Sequence, residues 1–144
     1  MATTLLHMLD TNTVSAVMRG HADLDARLLQ LQANAWCISA VTHSEICFGL
    51  ALRPEAARLA RAAQQFFAVA TTLPWDVSAA EAHGNLRAKL RVAGTPIGDM
   101  DEMIAAHALS LGAVLVTDNL KHFARVDGLA LENWIRPASG SLTA

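Results

Sequence analysis

Four separated stretches of the 144-residue sequence place a carboxylate or an amide at, or shortly after, the end of an apolar run. They are Asp10 closing LLHMLD, Glu45 six residues past WCIS, Asp101 in the helix-forming run that leads into AVLVT, and Asp118 with Asn119 just after AVLVT. Short acids and amides at such places have two kinds of work open to them. They can accept bonds from the orphan N–H groups of a helix start, or, gathered at one point, they can hold a hard cation through oxygen. Capping accounts for each taken singly. Asp10 or Asn12 is a natural cap, Thr42-His43-Ser44-Glu45 has the S/T-x-x-E spacing of a capping box, and Asp99 with Glu102 repeats it. On that reading Asp99 is an N-cap, and Asp101 lies in the first helical turn, where the macrodipole favours any acid. Capping does not predict that all four should converge.

Convergence depends on the elements that carry them. A chain of this length with 53% hydrophobic residues can bury one sizeable core. We read a single domain over residues 1–135, followed by a polar tail, 136–144. The net charge of −2 offers no bulk positive field, so an anionic partner must be held locally. Cys37 and Cys47 lie in apolar segments without zinc-ligand spacing and are expected to be buried thiols. There is no basic, apolar leader and no membrane-length apolar run, so a soluble, cytoplasmic protein is expected.

Periodicity alternates strands with helices. Strands are expected at 5–9, 36–39 and 113–117, with an edge strand at 72–75, where Pro74 is tolerated, and a last one at 129–131. Helices are expected at 13–18, 24–33, 42–52, 55–69 with Pro54 in its first turn, 79–92, 99–111 ended by Gly112, and 120–123. This order predicts an α/β domain with a mainly parallel central sheet flanked by helices on both faces. In such sheets the working residues gather beyond the carboxyl ends of the strands. That rule brings Asp10, Glu45, Asp101 and the Asp118-Asn119 pair to one pole.

The same stretches carry a resemblance. LDTNTVS, ISAVTHSEICFGL, GTPIGDMDEMIAAHA and VLVTDNLKHFARVDGLALENW resemble, in order and over nearly the whole chain, the successive blocks of a PIN domain of the VapC type, toxins of bacterial type II toxin–antitoxin pairs. The resemblance implies a ribonuclease whose acidic cluster holds magnesium or manganese and which yields a 5′-phosphate and a 3′-hydroxyl. By position its acids are Asp10, Glu45 and Asp101. Asp10 and Asp101 are then metal ligands and Glu45 a ligand or the base that orients water, while Thr11, Asn12 and Thr117 hold the carboxylates in place. The fourth position departs from the pattern, because Asn119 stands where many members have an acid and Asp118 comes one residue earlier; either is a candidate. Crowded carboxylates repel unless a cation lies among them, so the cluster is costly as scaffolding alone. The resemblance further implies a VapB-like antitoxin, a homodimer, and structured RNA, transfer RNA in particular, as substrate. Arg87, Lys89 and Arg91 along one helix, with Lys121 and Arg125, are the candidate RNA contacts.

Other chemistries are opposed by the spacing. Among His7, His21, His43, His83, His107 and His122 no two stand at i, i+4 and no H-E-x-x-H occurs, so surface or packing positions are expected for all six. There is no G-x-S-x-G and no Gly-rich phosphate loop. D-T-N resembles the D-x-D start of haloacid-dehalogenase-type phosphatases, but Asn12 replaces the second acid. The rival from another class is a catalytically inactive PIN fold that binds RNA or protein. Such a module needs none of Asp10, Glu45 and Asp101, and the sequence has all three.

Overall fold

In the computed structural model, which describes residues 5–136, the apolar runs line up in a five-stranded parallel sheet. β1 (His7–Leu9) lies between β2 (Trp36–Ser39) and β4 (Val114–Val116), with Leu9 opposite both Ile38 and Val116. Two-residue edge strands complete the order β3-β2-β1-β4-β5: β3 (Thr72–Leu73), ended by Pro74, and β5 (Leu131–Glu132). The helices are α1 (Thr11–Met18), α2 (Ala22–Gln30), α3 (Ala40–Leu52), α4 (Ala57–Val69), α5 (Val77–Ala93), α6 (Asp99–Leu111) and α7 (Leu120–Phe123).

Successive side chains of the central strands point to opposite faces, and each face has its own core. Met8, Cys37 and Leu115 pack with Leu86, Leu90, Ile104, Ala105 and Phe123 of α5, α6 and α7. Leu9, Ile38 and Val116 pack with Val14, Leu24, Ala63 and Phe66 of α1, α2 and α4. This double burial is why the strands read as continuous apolar runs rather than as alternating ones. Each large apolar side chain so buried contributes about 1.5–3 kcal/mol. The alanine run of α6 lets that helix lie close on the sheet, and Gly112 ends it in the left-handed conformation at φ 64°.

WCIS, 99–111 and 120–123 form as the pattern predicts, and other elements shift. α3 begins at Ala40 with Ser39 as its cap, whose Oγ accepts from the Val41 N–H, so Thr42 and Glu45 are interior and form no capping box. α4 begins at Ala57 rather than at 55, because Arg53–Ala56 closes a turn, with the Ala56 N–H on the Arg53 carbonyl at 3.0 Å. Gly98, not Asp99, caps α6; its φ of 100° needs glycine, and Glu102 reaches back to the Ile97 N–H at 3.2 Å. Cys37 is buried, and its thiol is pushed up to about 12 by desolvation, but Cys47 is exposed, against expectation. It follows the helical turn that leaves Phe48 and Leu52 exposed as well.

His107 is buried, as a packing histidine should be. Its Nδ1 lies 2.8 Å from Ser39 Oγ, which ties α6 to the carboxyl end of β2. Burial holds its pKa below the ordinary value, which favours the neutral ring. Arg136, assigned by composition to the tail, instead forks onto Asp118 through Nε and Nη2, both at 2.9 Å. The rest of that tail lies outside the described residues. Among these, no helix is long and apolar enough to cross a membrane.

Candidate active site

The strand order reverses at β1: the chain runs from β1 through β2 to β3 on one side, then crosses back from β3 to β4 on the other. At such a switch point the chain segments leaving neighbouring strands diverge and open a crevice beyond their carboxyl ends. A cavity of about 90 Å³ lies there, lined by Asp10, Thr11, Asn12, Glu45, Asp101, Asn119 and Phe123. Asp10 comes from the end of β1, Glu45 from α3, Asp101 from the first turn of α6, and Asn119 from the turn after β4. A larger cavity, about 680 Å³, lies between α1, α2 and α4, but its walls are mainly apolar and Asp25 is its sole acid. Size does not locate the chemistry here; the donor set does.

Asp10 performs both roles the sequence allowed. Its Oδ1 accepts from the Thr13 N–H at 2.9 Å, capping α1, while its carboxylate borders the cavity. It is nearly fully buried, and that desolvation raises its pKa. Hydrogen bonds from Thr117 and Thr13 oppose the rise, and the charge of Asp101 adds to it. Asp101 is likewise raised by burial, with His122 pulling it down. Two carboxylates that burial holds above the ordinary range, one of them raised further by the other, form a site that favours a cation.

Glu45 accepts from the hydroxyl of Thr11 through Oε1. That hydroxyl has one proton, so Thr42 Oγ1, 3.3 Å away, must be the donor in the second contact. The chain Thr42, Thr11, Glu45 thus fixes the glutamate from two helices. Thr117 is fully buried, and its Oγ1 also accepts from the Asn119 N–H at 3.0 Å. Asn12 is exposed at the cavity rim.

The fourth position divides clearly. Asn119 lines the cavity, and its side chain makes no cap bond to α7. Asp118 does not line it. Both of its oxygens are occupied by Arg136, with Asn133 Nδ2 also on Oδ1 at 2.9 Å, and these bonds hold its carboxyl below the usual range. The assignment of Asp118 as a metal ligand is therefore corrected: the turn after β4 aims it at the C-terminal segment, away from the cavity.

His122 is the residue that sequence reasoning missed. Its Nε2 lies 3.0 Å from Asp101 Oδ2, and its ring stands edge-on to Phe123, which itself lines the cavity. The available signal was its place on α7, directly after the strand that feeds the site. The contact leaves Asp101 Oδ1 for the cavity, so His122 orients an acid it does not replace. Partners of this kind typically change metal affinity about 10–100-fold. We expect His122→Ala to weaken manganese binding within that range and His122→Gln, which keeps an N–H donor, to restore part of it. A titration of the three proteins with manganese checks this, and equal affinities would leave His122 a surface histidine.

The donor set fits a hard divalent cation: carboxylate and amide oxygens, with no sulfur or imidazole on the cavity wall. Among the described residues no three His, Cys, Asp or Glu side chains stand close enough together to hold an ion by themselves. The acids frame an open cavity rather than a closed cage. That suits magnesium, which is bound through one or two carboxylates and keeps several waters.

Comparison with known proteins agrees with this geometry. The PIN domain family matches residues 7–129. A tRNA(fMet)-specific endonuclease VapC of Salmonella typhimurium is 37% identical over 132 residues, covering 90% of this chain and 98% of that protein. Ribonuclease VapC2 of Haemophilus influenzae is 36% identical, covering 91% and 99%. Among solved structures, DNA-bound VapBC from Salmonella typhimurium superposes with a TM-score of 0.84 at 36% identity, over 90% of this chain and 98% of that one. VapBC2 from Rickettsia felis, bound to a fragment of its promoter, gives 0.82 at 30%, over 90% and 99%. A crevice of acids at the switch point of a parallel sheet, in a chain that aligns with these proteins over 90% of its length, leads to one conclusion: the chain belongs to the PIN-domain family, in its VapC branch of toxin–antitoxin ribonucleases.

Proposed function

We propose that the protein is a magnesium- or manganese-dependent endoribonuclease that cuts transfer RNA in the cytoplasm, acts as a homodimer and is silenced by a VapB-like antitoxin. The observation that carries the metal-dependent reading is the convergence of Asp10, Glu45 and Asp101, from three elements, on one small cavity. Capping explains only Asp10 among them, since Glu45 and Asp101 form no cap bonds. When bound, the ion would acidify an attacking water and neutralise charge developing on the phosphate.

The chain's own residues supply the rest. Asp10 and Asp101 are the direct oxygen donors, with Thr13 and His122 fixing their orientation. Glu45, held through one oxygen by Thr11, has the other to accept a proton from the water that attacks phosphorus. Asn119 offers its amide oxygen at the cavity wall. Phe123 closes the floor and limits water there. In-line attack forms the new O–P bond as the P–O3′ bond breaks, and the departing 3′ oxygen takes a proton from solvent, which leaves a 5′-phosphate and a 3′-hydroxyl.

The test is to incubate the purified protein with total transfer RNA and magnesium and to map the ends. A discrete internal cut bearing those termini is expected. Transfer RNA bound but recovered intact would favour the inactive binding module instead.

A further inference from the structure

We propose that the cleft lined by α5 and by the turn after α7, with Lys89 and Arg125 on its walls, seats a backbone phosphate of the RNA substrate. The inference rests on the endoribonuclease reading and adds to it where the polyanion is held. A protein of net charge −2 must gather its cations locally to bind one.

The helix does not present its cations as one stripe. Arg87 and Arg91, four residues apart, share the solvent face of α5. Lys89 lies between them in sequence and is turned about 200° from each, so it leaves that face. It borders a cavity of about 230 Å³ whose opposite wall carries Arg125, one residue past the C-cap of α7. Asn85 and Thr95 line the same cavity and add neutral hydrogen-bonding groups suited to phosphate oxygens.

The cations are not already neutralised. Arg27 and Arg136 are ion-paired, to Glu132 and Asp118, but neither Lys89 nor Arg125 has an acid within ion-pair distance among the described residues. Arg125 donates only to the Pro96 carbonyl, at 3.2 Å, which aims the guanidinium rather than cancelling it. Two features oppose an anion: Asp127 on the cavity wall and the negative end of the α5 dipole beyond Lys89. The dipole end is partly offset, since its last carbonyls accept from the Gly94 and Thr95 N–H groups and Arg91 lies in the final turn. Two full positive charges against one acid leave the cleft cationic.

Position ties it to the chemistry. Phe123 lines the catalytic cavity two residues before Arg125, and the Pro96 that Arg125 holds leads through Gly98 into the turn bearing Asp101. The same two chain segments, 95–101 and 123–127, thus contribute to both cavities, which is why the cleft is assigned to the substrate of that site.

The experiment measures binding of total transfer RNA in chelator, where nothing is cut, across a salt series. It compares wild type, Lys89→Ala/Arg125→Ala and Arg87→Ala/Arg91→Ala, each checked for an unchanged melting temperature. The cleft double variant should bind about tenfold more weakly at low salt and flatten the slope of log affinity against log salt by roughly 1 to 2, while the solvent-face pair moves both less. Lys89→Arg/Arg125→Lys should retain binding. Wild-type affinity in the alanine pair, or an equal loss in both pairs, overturns the cleft. Inorganic phosphate should displace the RNA beyond a chloride control of equal ionic strength, and that excess should vanish in the alanine pair; phosphate that binds the wild type but not the alanine pair, with RNA affinity equal in the two, would overturn the proposal by assigning the cleft to free phosphate. A wild-type protein that neither binds nor cuts RNA with magnesium overturns the endoribonuclease reading itself.

Discussion

Asp10→Asn should give a folded protein that cuts no RNA and that, stripped of metal, melts at a higher temperature than the wild type at neutral pH. Both halves follow from the double role of this residue. Asparagine caps helices as well as aspartate does, so the bond from the Thr13 N–H survives and α1 keeps its start. What is lost is the negative charge, which on the proposed reading is what this ligand supplies to the ion beyond an oxygen atom.

The sign of the stability change comes from the pKa. Burial raises Asp10 in the folded state, so the ionised form is penalised there relative to the unfolded chain. The stability associated with its neutral form is fully present below the ordinary carboxylate pKa of 3.8 and is lost as pH rises through the folded value. At neutral pH ionisation of Asp10 in the metal-free wild type carries this penalty, and the uncharged asparagine has no such ionisation to penalise. The gap in melting temperature should close as pH falls toward the ordinary value. It should shrink or reverse with saturating magnesium, which stabilises only the protein that binds it. Melting curves in chelator and in magnesium across pH, beside a cleavage assay, test both halves. A folded variant that still cleaves would return Asp10 to the role of a cap, and one that melts lower in chelator would remove the electrostatic argument.

This trade of stability for charge is also why the site was largely legible in sequence while its surroundings were not. Asp10, Glu45 and Asp101 follow strands or open a helix, and strand order alone carries such residues to one pole. WCIS and AVLVT were readable because burial on both faces leaves an unbroken apolar run between turn signals. Helix starts were harder, since local spacing and tertiary position give competing answers. Thr42 and Glu45 have capping-box spacing, but Ser39 already caps α3 one turn earlier, freeing both side chains to meet Thr11. Asp99 loses its cap role to Gly98, whose backbone only glycine adopts readily. His122 had a position in sequence that pointed to the site but no pattern that gave its direction. Its partner Asp101 is 21 residues away, and a histidine on a four-residue helix has no periodicity to give its direction.

Cleavage should vanish in chelator and return with magnesium or manganese, and the concentration required should be set by Asn119 rather than by Asp118. No histidine lines the cavity to serve as an independent base, so the charge of the ion has no substitute among the residues present. Asn119 can offer its carbonyl oxygen to a hard cation but adds no charge, which leaves the site with one carboxylate fewer than a four-acid version. Asn119→Asp should therefore lower the magnesium concentration for half-maximal cleavage, and Asn119→Ala should raise it. Asp118 faces the other way. Its fork with Arg136 is largely exposed on the arginine side, where solvent screens the pair, so Asp118→Ala should slightly loosen the C-terminal segment and leave the metal requirement unchanged. Metal titrations of the three variants decide between the neighbours. A larger loss in Asp118→Ala than in Asn119→Ala would mean that the turn after β4 rearranges on binding the ion, with Arg136 released and Asp118 swung into the cavity. Full cleavage in chelator would exclude any metal role for the cluster and leave Glu45, the acid held by Thr11, as the group to be explained.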